Sequence, residues 1–184
     1  MKFIDQTLNL RHREAPLEMG ADSFRQIGHE LVDEIADFLS GISKRPVTTG
    51  ESPQAIRQLL RQDTLPERGA SANRLMAETT DLLFDHSLLN GHPRFCGYIT
   101  AAAAPIGVLG DFLAAAVNPN VGAAVLSPMA TEIEAQTIRW IADLIGYPHH
   151  CGGLLVSGGN MANFIGFLAA RQIKTPWDLK KEGL

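Results

Sequence analysis

Residues 153–163 read GLLVSGGNMAN, which is an apolar run, a pair of glycines and the beginning of a segment with helical periodicity. The pattern predicts a short strand at Leu154 to Val156, a turn at Gly158-Gly159 and a helix from Asn160 to Arg171. Glycines let the backbone approach a ligand closely, and the N-terminus of the helix presents free N–H groups and the positive end of its dipole. Such a turn suits a phosphate group.

The same turn has an ordinary alternative, because a Ser-Gly-Gly-Asn segment can simply connect a strand to a helix. It is not a P-loop, since the Lys-Ser/Thr ending is missing, and it is not a dinucleotide fingerprint, since the G-x-G-x-x-G spacing is missing. Ser157 and Asn160 are able to add side-chain hydrogen bonds to a phosphate. The turn alone therefore leaves both interpretations open.

A single strand at Leu154 to Val156 creates a hydrogen-bonding requirement. Buried backbone N–H and C=O groups need partners, so a strand needs at least one neighbour. Arg94 to Thr100 reads as a short extended segment, but it is a poor candidate for that neighbour. We therefore expect the sequence to be the N-terminal part of a larger α/β enzyme.

Apolar residues at helical spacing predict that the rest of the chain is mostly helical. From Phe24 to Ile42 the large apolar side chains form one stripe, which predicts a helix over Asp22 to Ile42 with Asp22 or Ser23 as its N-cap. Two Ser-Pro pairs predict further helix starts, because serine caps a helix and proline is tolerated at its first position. The other predicted helices run from Ser52-Pro53 to about Thr64, from Ala70 to Leu89, from Pro105 to Val117 and from Ser127-Pro128 to Ile145.

The composition is that of an ordinary soluble globular protein. The 184 residues include 16 Lys and Arg and 20 Asp and Glu, for a formal net charge of -4, and 45% of them are hydrophobic. These values exclude a disordered tail, a collagen-like fibre and a disulfide-stapled miniprotein. A mildly acidic chain has no electrostatic reason to bind nucleic acid or an anionic membrane, so we expect neither partner.

The cysteines and the apolar segments predict a cytoplasmic location. Cys96 and Cys151 are too few for a disulfide framework and indicate a reducing compartment. The N-terminus has no apolar run of signal-peptide length. Ala101 to Val117 is too short and too rich in alanine for a membrane span, and we expect it to contain a buried helix. Asp111 in this helix is interpreted as a buried, hydrogen-bonded structural group rather than a site residue.

Other polar residues have simpler explanations than catalysis. His149, His150 and Cys151 are consecutive and cannot easily converge on one ion, so we expect no metal site. Cys96 fits a small buried apolar residue. Glu132 and Glu134 are interpreted as carboxylates in the first turn of a helix, where the helix dipole favours them.

The strand-turn-helix motif is one of several that lie in order between residues 92 and 171. The others are His92-Pro93-Arg94-Phe95 with Tyr98 and Thr100, Pro105-Ile106-Gly107, SPMATEIE at 127–134, Trp140, and Leu168-Ala169-Ala170-Arg171. This set resembles the group II pyridoxal-phosphate-dependent decarboxylases, the family of aromatic-L-amino-acid and glutamate decarboxylases. Residues 1–90 resemble the helical N-terminal segment of that family more loosely.

The resemblance implies an α/β fold of the PLP-dependent transferase fold type I, where PLP is pyridoxal 5'-phosphate. This chain would hold the mostly helical N-terminal segment and the start of the large domain. Residues 1–90 are then a helical segment that clasps the other subunit of a homodimer, and residues 91–184 begin the PLP-binding domain. The cofactor is implied at the subunit interface, and the loop at Asn118 to Val121 is implied to reach towards the partner's site.

The resemblance also implies site residues and a reaction. The cofactor phosphate is held by the turn at Ser157, Gly158, Gly159 and Asn160, while Tyr98 and Thr100 face the substrate. His92 is either a turn residue or a contact on the substrate side. The implied reaction is decarboxylation of an amino acid, with aromatic substrates expected first and glutamate or a diamine left open.

The sequence departs from the family at the catalytic lysine. The Schiff-base lysine of the family, its ring-stacking histidine and the aspartate that pairs with the pyridine nitrogen have no match here. No lysine lies in a matching context, and the lysines are Lys2, Lys44, Lys174, Lys180 and Lys181. We therefore assign no catalytic residue and expect the chain by itself to be inactive. Two alternatives stay open, namely another reaction on the same fold (transamination or aldol-type cleavage) and a truncated, non-catalytic dimerisation partner.

Overall fold

The computed structural model describes residues 18–60 and 64–183, and helices dominate this part of the chain. A 3₁₀ turn at Ile42–Lys44 follows the first helix. The chain divides into two compact units, one ending at Val108 and the other beginning at Leu109. The helices are α1 (Ala21–Gly41), α2 (Pro53–Leu59), α3 (Ala72–His86), α4 (Pro105–Val117), α5 (Pro128–Leu144), α6 (Gly159–Lys174) and α7 (Leu179–Glu182).

The predicted helices form, but α2 ends at Leu59 rather than near Thr64, and α3 covers Ala72–His86 rather than Ala70 to Leu89. Residues 61–63 of the predicted second helix lie outside the described residues. The short α7 was not predicted. The hydroxyl of Ser52 accepts the N–H of Ala55 at 3.1 Å, which caps α2 as expected. α1 differs from the prediction, since its N-cap is Gly20 rather than Asp22 or Ser23. The helix begins at Ala21, so Asp22 already lies in its first turn, where it pairs with Arg25 at 2.7 Å.

An aromatic pair holds α1 against α3 in the first unit. The rings of Phe38 and Phe84 are stacked, with centroids 4.1 Å apart and planes 10° apart. The guanidinium of Arg45 lies 5.3 Å from the centre of the Phe38 ring, and its Nη1 is 2.7 Å from the Asp85 carboxylate. This cluster combines apolar burial with a cation–π contact at the end of both helices.

The loop after the 3₁₀ turn is fastened to the end of α3. The N–H of Leu89 donates to the carbonyl of Val47 at 2.8 Å. The carboxylate of Glu51 lies 2.8 Å from Nδ1 of His86 and accepts the hydroxyl of Thr49. The hydrogen bond from Thr49, followed by that from His86, lowers the pKa of Glu51.

The predicted strand does not form. Leu154 to Val156 lies in an irregular segment at 151–156, Arg94 to Thr100 is also irregular, and no strand occurs in the described ranges. The physical reason is that a strand requires a second segment to pair with, and the described part of the chain supplies none. Leu154 and Leu155 each remain 56% exposed.

The expectation that α4 is buried is also wrong for the described residues. Its large apolar side chains other than Val108 are exposed, and Asp111 is exposed as well, so it is not the buried group that was expected. An apolar helix is buried only when another surface covers it, and these side chains have no such cover among the described residues of their own unit. Across residues 18–60 and 64–183, no helix has the length and apolar character needed to cross a membrane.

The aromatic pair predicts which residue of α3 contributes to local stability. Replacing half-buried Phe84 with alanine removes the ring stack with Phe38 and the contact between the Phe84 ring and the Arg45 guanidinium. We expect the free energy of local opening of α1 and α3 to fall by roughly 2 kcal/mol. Amide hydrogen exchange in the native protein measures this. Asp81→Ala on the exposed side of α3 is the control, and equal effects of the two changes would contradict the assignment.

Candidate functional site

The turn before α6 has a backbone conformation that favours glycine. Gly158 is the N-cap of α6, with φ 92° and ψ 163°. This region of backbone space is essentially restricted to glycine. The N–H of Gly158 donates to the carbonyl of Val156 at 3.0 Å, which closes the turn. The chain thereby changes direction within one residue and enters the helix directly.

The turn exposes hydrogen-bond donors to open space. The first N–H groups of an α-helix have no partner within the helix, so those of Gly159, Asn160 and Met161 are available. A Cβ atom built on Gly158 or Gly159 would have nothing within 4 Å. Within the described residues, the exposed side chains of Ser157 and Asn160 form no hydrogen bond. This arrangement of donors, space and helix dipole fits a phosphate group.

The segment leading into the turn is supported by α5. The Glu134 carboxylate accepts the N–H of Leu155 at 2.8 Å. One helical turn further, Ile138 packs against Gly153, where an added Cβ would lie 2.7 Å from Cγ2 of the isoleucine. The interpretation of Glu132 and Glu134 as first-turn carboxylates is wrong, because α5 begins at Pro128 and has no acidic residue in its first turn.

His92 is a buried turn residue. It is only 2% exposed, and its Nδ1 accepts the N–H of Arg94 at 3.0 Å. Its carbonyl accepts the N–H of Phe95 at 2.9 Å, while its Nε2 has no hydrogen-bond partner within the described ranges. Of the two roles expected for His92, the structure shows the turn contacts.

Tyr98 is held in an unusual conformation at the surface. Its φ of 60° lies in the left-handed region that few non-glycine residues adopt. The residue is 86% exposed, and its ring centre lies 6.2 Å from that of Phe95. Thr100 is exposed close by in sequence, and Cys96 is exposed rather than buried as expected. A strained, exposed aromatic residue is typical of a functional surface.

The expected site residues fall into two groups. His92, Tyr98 and Thr100 belong to the first unit, whereas the turn from Ser157 to Asn160 belongs to the second. Sequence reasoning missed Glu134 as a support for the turn. Its contact with Leu155 spans 21 residues along the chain, and the only available signal was its place in the SPMATEIE motif that accompanies the turn.

The histidines considered for a metal site and the described lysines lie at the surface. Nδ1 of His149 lies 2.9 Å from the Asp143 carboxylate, and no group of three metal-ligating side chains occurs in the part of the chain that the structure describes. Every described lysine is exposed, and Lys2 lies outside the described residues. Lys181 contacts Asp178 at 3.7 Å on the surface of α7.

The conformation of Gly158 predicts opposite effects for two glycine-to-alanine changes on α6. Gly158→Ala places a Cβ in a glycine-only region and should destabilise the start of the helix by roughly 1–3 kcal/mol. Gly166→Ala lies inside the same helix with nothing within 4 Å of its Cβ and should stabilise it by about 0.5–1 kcal/mol. Hydrogen exchange of the α6 amides in the native protein measures both effects. Destabilisation of similar size in both variants would contradict the assigned conformation.

The amino-acid sequence matches a known protein family and individual members of it. The pyridoxal-dependent decarboxylase conserved domain matches residues 53–183. The chain is 31% identical over 164 residues to an aromatic-L-amino-acid decarboxylase of Bacillus atrophaeus, covering 89% of this chain and 34% of that protein. It thus spans about a third of the length of this relative.

Two solved structures have the same fold. The tryptophan decarboxylase of Catharanthus roseus in complex with L-tryptophan superposes with a TM-score of 0.77 at 25% identity, covering 93% of this chain and 36% of the other. The TDC of Oryza sativa with PLP and tryptamine gives a TM-score of 0.77 at 24% identity, with 93% and 35% covered. These similarities support fold type I for the mostly helical portion described above.

The family match covers most of the chain and includes both groups of expected site residues. It contains the turn from Ser157 to Asn160, the helix α5 that supports this turn, and the segment with Tyr98 and Thr100. The resemblance inferred from the motifs between residues 92 and 171 is thereby confirmed. The chain belongs to the pyridoxal-dependent decarboxylase family.

Proposed function

We propose that this chain is the N-terminal part of a PLP-dependent amino-acid decarboxylase, in which the turn from Ser157 to Asn160 holds the cofactor phosphate. The observation that carries the proposal is the glycine-specific conformation of Gly158 at the open N-terminus of α6. The solved relative from Oryza sativa contains PLP, which supports the choice of ligand. The decarboxylases among the relatives favour this reaction over transamination and aldol-type cleavage.

Each residue of the turn has a distinct role in binding. The backbone N–H groups of Gly159 and Asn160 donate to the phosphate, aided by the positive end of the α6 dipole. The side chains of Ser157 and Asn160 add hydrogen bonds. Gly158 supplies the change of direction that aims these donors. When bound, PLP supplies an electron sink for the chemistry at the substrate, and the protein contributes orientation and electrostatics.

The substrate wall is formed by Tyr98 and Thr100, and His92 shapes the turn that presents them. Tyr98 offers an exposed aromatic ring and Thr100 an exposed hydroxyl. An aromatic ring at this position suits a substrate that carries another ring. The relatives named for aromatic amino acids support the same substrate class, so an aromatic amino acid is the proposed substrate.

The working enzyme is a cytoplasmic homodimer with no nucleic-acid, membrane or metal partner. Residues 1–90 clasp the other subunit and residues 91–184 begin the cofactor-binding domain. The exposed apolar residues of α4, such as Ile106, Leu113 and Val117, support an assembly that covers them. Burying one such side chain stabilises an assembly by roughly 1.5–3 kcal/mol.

The 184 residues by themselves do not catalyse decarboxylation. All described lysines are exposed, and no lysine of the sequence matches the Schiff-base lysine of the family. We expect the isolated 184-residue chain to release no CO₂ from aromatic amino acids in the presence of PLP. Measuring ¹⁴CO₂ release from carboxyl-labelled substrates tests this, and turnover by the isolated chain would contradict it.

Asn160 provides the sharpest test of the phosphate assignment. Asn160→Asp places a negative charge beside the phosphate and should weaken PLP binding by roughly 100-fold in the native protein, since repulsion is added to a lost donor. Asn160→Ala removes only the side-chain hydrogen bond and should weaken binding by roughly 5–10-fold. Equilibrium dialysis with PLP measures both dissociation constants.

The difference between these two variants identifies the cause. A much larger loss in the aspartate variant indicates an anion next to residue 160. Unchanged PLP affinity in Asn160→Asp would remove the turn from the cofactor site.

A further inference from the structure

The helix α5 contacts the segment that leads into the turn from Ser157 to Asn160. Glu134 is half-buried, and its Oε1 accepts the N–H of Leu155 at 2.8 Å. A hydrogen bond with an ionised acceptor is shorter and stronger than one between neutral groups. The segment at 151–156 has no strand pairing in the described residues, so this carboxylate takes the place of a backbone acceptor for Leu155.

A second contact on the same face of α5 fixes the segment two residues earlier. Ile138 follows Glu134 by one helical turn, so both side chains lie on one face of the helix. Ile138 packs so closely on Gly153 that a Cβ there would lie 2.7 Å from its Cγ2, whereas a Cβ on Gly152 would meet nothing within 4 Å. The two contacts together determine where residues 153–155 lie on α5.

The position of Leu155 is transmitted to the turn through a very short length of backbone. Val156 follows directly, and its carbonyl accepts the N–H of Gly158 at 3.0 Å. The helix α6 then begins at Gly159. Only residues 156–158 separate Leu155 from the start of α6. A displacement of Leu155 therefore changes the direction in which the first N–H groups of α6 point.

We infer that Glu134 is a positioning residue of the cofactor site: by holding the N–H of Leu155 it sets the placement of the phosphate-binding turn. This inference rests on the proposed function. Glu134 affects phosphate binding indirectly, through the backbone that leads into the turn, and does not contact the cofactor.

The experiment compares two ligands that differ only in the phosphate. Dissociation constants of PLP and of pyridoxal are measured by equilibrium dialysis on the native protein and its variants. Glu134→Ala should raise the dissociation constant of PLP about tenfold and leave that of pyridoxal within about twofold. Glu134→Gln keeps an acceptor oxygen and should restore most of the PLP affinity. Glu132→Ala, which removes an exposed carboxylate of the same helix, should change neither constant.

Hydrogen exchange gives a readout that does not depend on ligand. The amide of Leu155 should exchange faster in Glu134→Ala than in Glu134→Gln. If Glu134→Ala does not fold, Gly153→Ala displaces the same segment through Ile138. This variant should lose PLP affinity to the same extent while its pyridoxal affinity stays unchanged. Gly152→Ala is its matched control and should have no effect.

The outcomes separate this inference from the proposed function. If Glu134→Ala and Gly153→Ala leave PLP affinity unchanged, or weaken PLP and pyridoxal equally, the positioning role is overturned. If the unaltered native protein binds PLP no more tightly than pyridoxal, the phosphate assignment of the turn itself fails.

Discussion

The segment at 151–156 forms no strand pairing in the described residues, and its attachment to α5 determines where the turn before α6 begins. Without a neighbouring strand among the described residues, the N–H of Leu155 uses the Glu134 carboxylate instead. That contact and the packing of Ile138 on Gly153 attach the segment to α5. The turn at Gly158 and the start of α6 follow directly in sequence. The placement of the candidate phosphate site therefore depends on the hydrogen bond between the Glu134 carboxylate and the N–H of Leu155.

The local structure was predictable because it depends on local chemistry. The Ser52 cap of α2, proline at the first position of α2 and α5, and the glycine turn before α6 can all be read from neighbouring residues. The start of α1 shows the limit of this approach. Gly20 is the N-cap although Asp22 and Ser23 are better capping residues, because the helix begins two to three residues earlier than predicted.

Features that depend on distant partners were not predictable. The strand at Leu154 to Val156 has the right residues but no partner to pair with in the described ranges, and α4 has the composition of a buried helix but exposed apolar side chains. The cluster of Phe38, Phe84 and Arg45 joins residues far apart in sequence. For the same reason, the turn of the candidate site could be identified from its glycines, while its support by Glu134 could not.

We propose that the turn from Ser157 to Asn160 holds the phosphate of PLP. A crystal structure of the native protein grown with PLP tests it most directly. We expect phosphate oxygens within hydrogen-bond distance, about 2.7–3.2 Å, of the backbone nitrogens of Gly159 and Asn160. A bound cofactor whose phosphate contacts other residues, with these two amides left to solvent, would contradict it.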